Sequence, residues 1–176
     1  MTRRKVLLTS ALGVIAAMVA SLTGQLALAI GPDEEKAILA NALSAAKVSL
    51  QQGLTASEKE GQPISGKFEV EDGKLQLSVY TAKEGKFFEV IVDHMTGSIA
   101  KVEPITEGED LTHAKAQKAA MERAKIKLAD AAEKAKGKVG EALVVSAVPE
   151  LKGDSPLAAV VLLAGKRFST VSQPLN

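Results

Sequence analysis

The dipeptide Asp72-Gly73 constrains this chain more than any other feature. Before it, Phe68 and Val70 alternate with Lys67, Glu69 and Glu71; after it, Leu75, Leu77 and Val79 alternate with Lys74, Gln76 and Ser78. A period of two sends successive side chains to opposite faces of a strand. Asp-Gly between two such runs is a hairpin signal, because type I′ turns need residues that accept a positive φ. Lys83-Glu84-Gly85 turns the chain again into Phe87–Val92, and Asp93-His94-Met95-Thr96-Gly97 leads to a short strand over Ser98–Val102. Residues 64–102 therefore read as an antiparallel meander with one apolar face, and that face needs a cover.

The cover is expected from the segment just before it. Pro32 with Asp33, Glu34 and Glu35 marks a helix start, since Pro fits the first turn and acidic groups favour the positive dipole end. Ile38, Leu39, Ala42, Leu43, Ala46 and Leu50 then share one broad face, and Gly53 reads as the stop, which predicts one helix over about 33–52. Residues 54–62 read as irregular.

The second half repeats the order. Glu103–Asp110 is acidic and contains Pro and Gly, so 105–110 reads as a linker. A long helix follows, with Ala114, Gln117, Ala120, Met121, Ala124, Leu128, Ala131, Ala132 and Ala135 on one arc and mostly charged residues elsewhere. That spacing also allows a coiled-coil seam, for which Ala and Gln are poor residues. Strands are expected at Glu141–Val148, Pro156–Ala164 and Arg167–Val171, with Pro149–Ser155 as a loop. The unbroken apolar run of 157–164 implies burial on both faces. The fold class is α+β: a helix followed by an antiparallel meander, the pattern occurring twice, over 30–104 and 111–176. The two units could be small domains or could share one sheet.

Residues 1–29 read as a secretory signal peptide. Arg3, Arg4 and Lys5 precede an apolar run from Val6 to about Leu22, and Ala27-Leu28-Ala29 is a small-x-small cleavage pattern. The apolar run is just long enough for an uncleaved anchor, but Thr9, Gly13, Ser21, Thr23 and Gly24 dilute it. Cleavage after Ala29 leaves 147 residues. Removing three cations from 22 basic against 21 acidic residues leaves 19 against 21, a net charge of −2. That balance gives no global attraction for nucleic acid or anionic membranes, and a cleaved chain keeps no stable membrane anchor. Periplasmic or secreted localisation is expected. With no Cys, no disulfide can support the exported domain, so stability must come from burial.

The meander then bears a resemblance. Phe88-Glu89-Val90-Ile91-Val92-Asp93-His94-Met95-Thr96-Gly97-Ser98-Ile99-Ala100-Lys101-Val102 resembles the strand, Thr-Gly turn and strand that mark the PepSY family. The likeness extends back over the helix at 33–52. The second half resembles a degenerate copy without the Asp-x-x-Thr-Gly turn. The resemblance implies a non-enzymatic exported module that binds or regulates another envelope protein, with protease inhibition as the proposed role. It brings no catalytic residue, cofactor or metal ligand.

Side-chain chemistry agrees with that picture. Asp93 can accept backbone N–H bonds, Thr96 lies within the same turn, and Gly97 can take positive φ, so these three read as structural. His94 beside Asp93 is badly placed for a base and its orienting carboxylate, and His113 sits in the first turn of a helix. No G-x-S-x-G, phosphate-loop or EF-hand spacing occurs. Mixed charge on the second helix reads as a solvated face, on which Ile126 stands out. Phe87, Glu89, Ile91 and Ile126 are the candidate partner surface, with β-augmentation at a sheet edge as the expected mode. The alternative is a small-ligand site in a crevice between helices and sheet.

Overall fold

A computed structural model describes residues 31–176; the expected signal segment lies outside the described residues. The chain is α+β. It contains helices α1 (Pro32–Leu43), α2 (Leu50–Ala56), α3 (Gly108–Glu122) and α4 (Leu128–Gly137), and a 3-10 turn over Ser57–Glu60. The strands are β1 (Gln62–Glu71), β2 (Lys74–Lys83), β3 (Lys86–Val92), β4 (Ile99–Ile105), β5 (Leu143–Lys152), β6 (Ser155–Ala164) and β7 (Arg167–Pro174).

All seven strands form one antiparallel sheet in the order β4-β3-β2-β1-β5-β6-β7. The two meanders therefore share a sheet, joined where Gly66 pairs with Ala147 and Lys67 with Ser146. Positive φ at Asp72 and Gly73 gives the β1–β2 turn that the Asp-Gly pair predicted.

Several expected boundaries are corrected. The helix expected over 33–52 is two helices. Ser49 Oγ accepts from the Gln52 N–H, and the Gln52 side chain accepts from the Ser49 N–H at 2.8 Å. This capping box starts a new helix. The freed N–H groups of Lys47 and Val48 donate to the His94 carbonyl at 2.9 and 3.0 Å. Gly53 does not stop the helix; it lies inside α2, where a Cβ would come 2.6 Å from a Leu77 methyl. The segment 54–62 is the end of α2 and the 3-10 turn, then the start of β1.

The second expected helix is also two. The N–H groups of Lys125 and Ile126 leave the helical ladder and donate to the Leu175 carbonyl at 2.7 and 3.3 Å. The expected linker 105–110 shrinks to Thr106 and Glu107, because β4 runs to Ile105 and α3 starts at Gly108. The expected loop Pro149–Ser155 is mostly strand. Beyond Ala147 β5 no longer pairs with β1, so a residue without an N–H is tolerated at Pro149. Gly153 at φ +62 then turns the chain directly into β6.

The split of the second helix has a topological reason. Register places Gly66, Phe68, Leu77, Val79, Val90, Ala147 and Val160 on one sheet face. Leu50 and Leu54 of α2 meet Gly66 on that face, and Gln51 of α2 donates to Glu133 of α4 at 2.6 Å. The opposite face carries Ser65, Lys67, Glu69, Ser78, Tyr80 and Glu89. There Ser65 Oγ donates to Gln117 of α3 at 2.7 Å. The chain thus crosses from one face to the other between α3 and α4. The main core is the α2/α4 side, where Leu50, Leu77, Val79, Val90, Ala147 and Val160 have no exposed surface. The apolar run of β6 is covered on both faces, as expected: Ala158, Val160 and Leu162 are buried, and Leu157, Ala159 and Val161 half-buried.

Candidate functional site

The crossover from α3 to α4 forms one wall of a groove of about 400 Å³. Met121, Ala124, Lys125, Ile126, Lys127, Leu128 and Ala129 face Leu54, Glu58, Gly61, Gln62 and Pro63 across it. One wall comes from 105–137 and the other from 50–63, so the groove exists only because both halves share the sheet. Leu54, Pro63, Met121, Ile126 and Leu128 supply apolar lining, beside polar Glu58, Gln62, Lys125 and Lys127. At the rim Lys127 Nζ lies 2.9 Å from Glu58 Oε1 and ties the walls together. This exposed pair contributes little to stability but sets the charge pattern of the rim.

Ile126 lines this groove and is half-buried, because the two backbone bonds to Leu175 turn the crossover inward. The other members of the expected partner surface are elsewhere. Phe87 is 6% exposed and Glu89 5%, so the expectation that they present surface is corrected. Both lie on the face that carries Ser65 and Tyr80, since Ala82 pairs with Phe87 and Tyr80 with Glu89. Ile91 is half-buried on the same face. Alternation correctly gave their shared face but could not show that α3 would pack on it.

That face holds a layer of polar side chains. Lys67 Nζ is 2.7 Å from Glu69 Oε2 and 5.9 Å from the Tyr80 ring centre. Ser78 Oγ donates to Glu69 and accepts from Gln76, both at 2.9 Å. Burial, reinforced by Glu89 and Glu69, pushes the Tyr80 hydroxyl far above its usual range, so it stays a donor. Burial also raises the Asp110 carboxyl at the start of α3, against the pull of Lys67.

Asp93, Thr96 and Gly97 form the expected structural turn. Asp93 Oδ1 accepts from the N–H groups of Met95 and Thr96 at 2.8 and 3.0 Å, and Thr96 Oγ1 accepts from Ser98 at 3.3 Å. Gly97 has φ +78. The bonds from Met95 and Thr96 hold the Asp93 carboxyl below its ordinary value of 3.8. A depressed carboxylate stabilises the fold above its unfolded value, and that contribution is lost as pH falls through its folded value. Asp93→Ala is therefore expected to lower the melting temperature at neutral pH. The gap to the natural protein should close as pH falls below the ordinary carboxylate range. A gap that stays constant in thermal melts across that range would refute this role for the charge.

Sheet edges are the other candidate surface. β4 and β7 end the sheet. β4 carries Pro104 and the Lys101–Glu103 pair at 2.9 Å, devices that discourage pairing with another strand. In β7 proline comes only at the last residue, Pro174, so its edge is the more open to an added strand. Among the described residues no three His, Asp or Glu side chains are grouped to hold a metal, and no helix is long and apolar enough to cross a membrane.

No family model matches the chain, and no curated protein matches it. A solved structure of a candidate lipoprotein from Clostridium difficile 630 is similar at 15% sequence identity and a TM-score of 0.43. The likeness covers 74% of this chain and 88% of that one. A likeness this distant carries no argument.

Proposed function

We propose that this chain is an exported, non-enzymatic module resembling the PepSY family, and that it binds and regulates another envelope protein. In this reading the halves 30–104 and 111–176 are two copies of one helix-and-meander unit, joined along β1 and β5. An envelope protease is the partner class that the resemblance implies. The observation that carries the reading is the groove: a mixed lining in which apolar side chains sit beside Glu58, Lys125 and Lys127, built jointly by both halves, with Ile126 half-buried in its wall. An apolar side chain of a partner could be buried there while its flanking polar groups meet Lys125 and the Glu58–Lys127 pair. The edge of β7 offers a second, backbone-mediated contact.

The test is photo-crosslinking from position 125 in intact cells, followed by mass spectrometry of the adducts. One envelope protein is expected as the main adduct, and Ile126→Asp should abolish it while the protein stays folded. Self-adducts alone would overturn the reading. A second reading, a small-ligand carrier, draws on the groove volume, which lies within the roughly 300–1,000 Å³ of small-molecule sites. A thermal shift with a small molecule, absent in Ile126→Asp, would favour it.

A further inference from the structure

We propose that α3 is a strap that undocks from the sheet as a unit while the rest of the fold stays closed. Its seat is the reason. Over Gly108–Glu122 the fully buried residues are Ala114, Ala120 and Met121, and Leu111 is half-buried against the core, so undocking exposes two methyl groups and two longer side chains. The shorter α4 buries Leu128, Ala131, Ala132 and Ala135. Beneath α3 the β1–β2 part of the sheet is polar, with bonds internal to the sheet, Lys67 to Glu69, Ser78 to Glu69 and Gln76 to Ser78, and on β5 and β6 the same face adds Val148, Ala159 and Val161, each only half-buried. These pairs persist when the helix leaves, and water can solvate what is uncovered. A polar layer that satisfies itself adds little to the docking of its cover.

The ties from α3 to the sheet that the structure places are weak ones. The side-chain ties include Ser65 to Gln117 at 2.7 Å and the pair Arg123–Asp154 at 2.6 Å. Asp154 is fully exposed, so the second tie is worth little. No side chain caps the start of α3, where Glu107 stands at the N-cap. Thr106 and Glu107 precede it and Arg123–Lys127 follow it, so both ends have a hinge. Met121 belongs to the wall of the groove, so undocking opens the groove on that side. This inference does not depend on what the groove binds.

Native-state hydrogen exchange on the unmodified protein tests it without any partner. The amides of α3 are expected to exchange on the order of tenfold or more faster than those of α4 and β6, through an opening that denaturant barely accelerates. Equal protection in α3, α4 and β6, all exchanging through global unfolding, would overturn the proposal. A second measurement uses Ala114→Arg, which puts a long charged side chain where a 1%-exposed residue sits. For a strap, α3 loses protection while β6 keeps it and the main unfolding transition remains. Loss of protection in β6 as well would show that α3 is integral to the fold, and would overturn the idea.

Discussion

Val160→Asp is expected to unfold both halves of the chain in one step. Val160 has no exposed surface, and it pairs with Ala147 on β5 and Val171 on β7. It belongs to the same apolar cluster as Leu77 and Val79 from the first meander. A carboxylate there would be buried among apolar side chains: its partners on that face are Ala147 and Val171, with Ala158 and Leu162 beside it on its own strand. Burying an unpaired charge is among the few mechanisms that cost more than about 4 kcal/mol. A domain of this size has only about 5–15 kcal/mol of stability in total. The step should involve both halves because the core is continuous: Ala147 carries the apolar face from Val160 to Gly66, where α2 lies. Urea unfolding followed by circular dichroism would show either a fully unfolded variant or one cooperative transition at far lower urea. Two transitions, with 30–104 still folded after the first, would show that the halves are independent and refute the shared core.

The sheet was legible in the sequence to a greater extent than the helices. Asp72-Gly73 and Lys83-Glu84-Gly85 marked their turns because positive φ is chemically demanding and only a few residues meet it. Alternation then fixed the facing of Phe68, Leu77, Val79 and Val90. The helix breaks were harder. Ser49-Leu50-Gln51-Gln52 is a capping box, and it was readable. It was masked by an apolar arc that continued through it from Leu39 to Leu50. The break at Arg123–Lys127 has no local signal at all: Lys127 provides no cap. It arises because the Leu175 carbonyl, about fifty residues later in sequence, accepts two N–H groups from the crossover.

The same limit applies to the candidate site. Ile126 was visible as an apolar residue on a charged face, and the groove accounts for it. Its opposite wall, Leu54 to Pro63, lies in a segment whose polar composition read as irregular. Phe87 and Glu89 were assigned correctly to a face but wrongly to the surface. Alternation reports which side chains point together. It cannot report that α3 returns over that side, because helix placement is decided by the crossover near Leu175 and by the end of the β1–β5 ladder. Long-range topology, unlike turn chemistry, has no single residue that announces it.

Gly61→Ala should be the most damaging small substitution in the groove wall. Gly61 joins the 3-10 turn to β1 with φ 146 and ψ 179, a region essentially confined to glycine. A Cβ there would stand 2.8 Å from the Ala82 carbonyl oxygen. That oxygen cannot rotate aside, because Ala82 is held between Gln62 on β1 and Phe87 on β3. Backbone strain of about 1–3 kcal/mol and the displaced strand together predict a loss of roughly 2–4 kcal/mol. Gly73→Ala is the control. It also has positive φ, but a Cβ there meets nothing within 4 Å, so it should lose only about 1 kcal/mol. Denaturant melts of the two variants separate the strain from the clash; equal losses would mean that the Ala82 contact relaxes freely. The site feels the same change. Relieving the clash moves the 3-10 turn that carries Glu58, which stretches the Glu58–Lys127 bridge across the groove. Folded Gly61→Ala should therefore give a weaker adduct from position 125, even under conditions where its fold is fully populated.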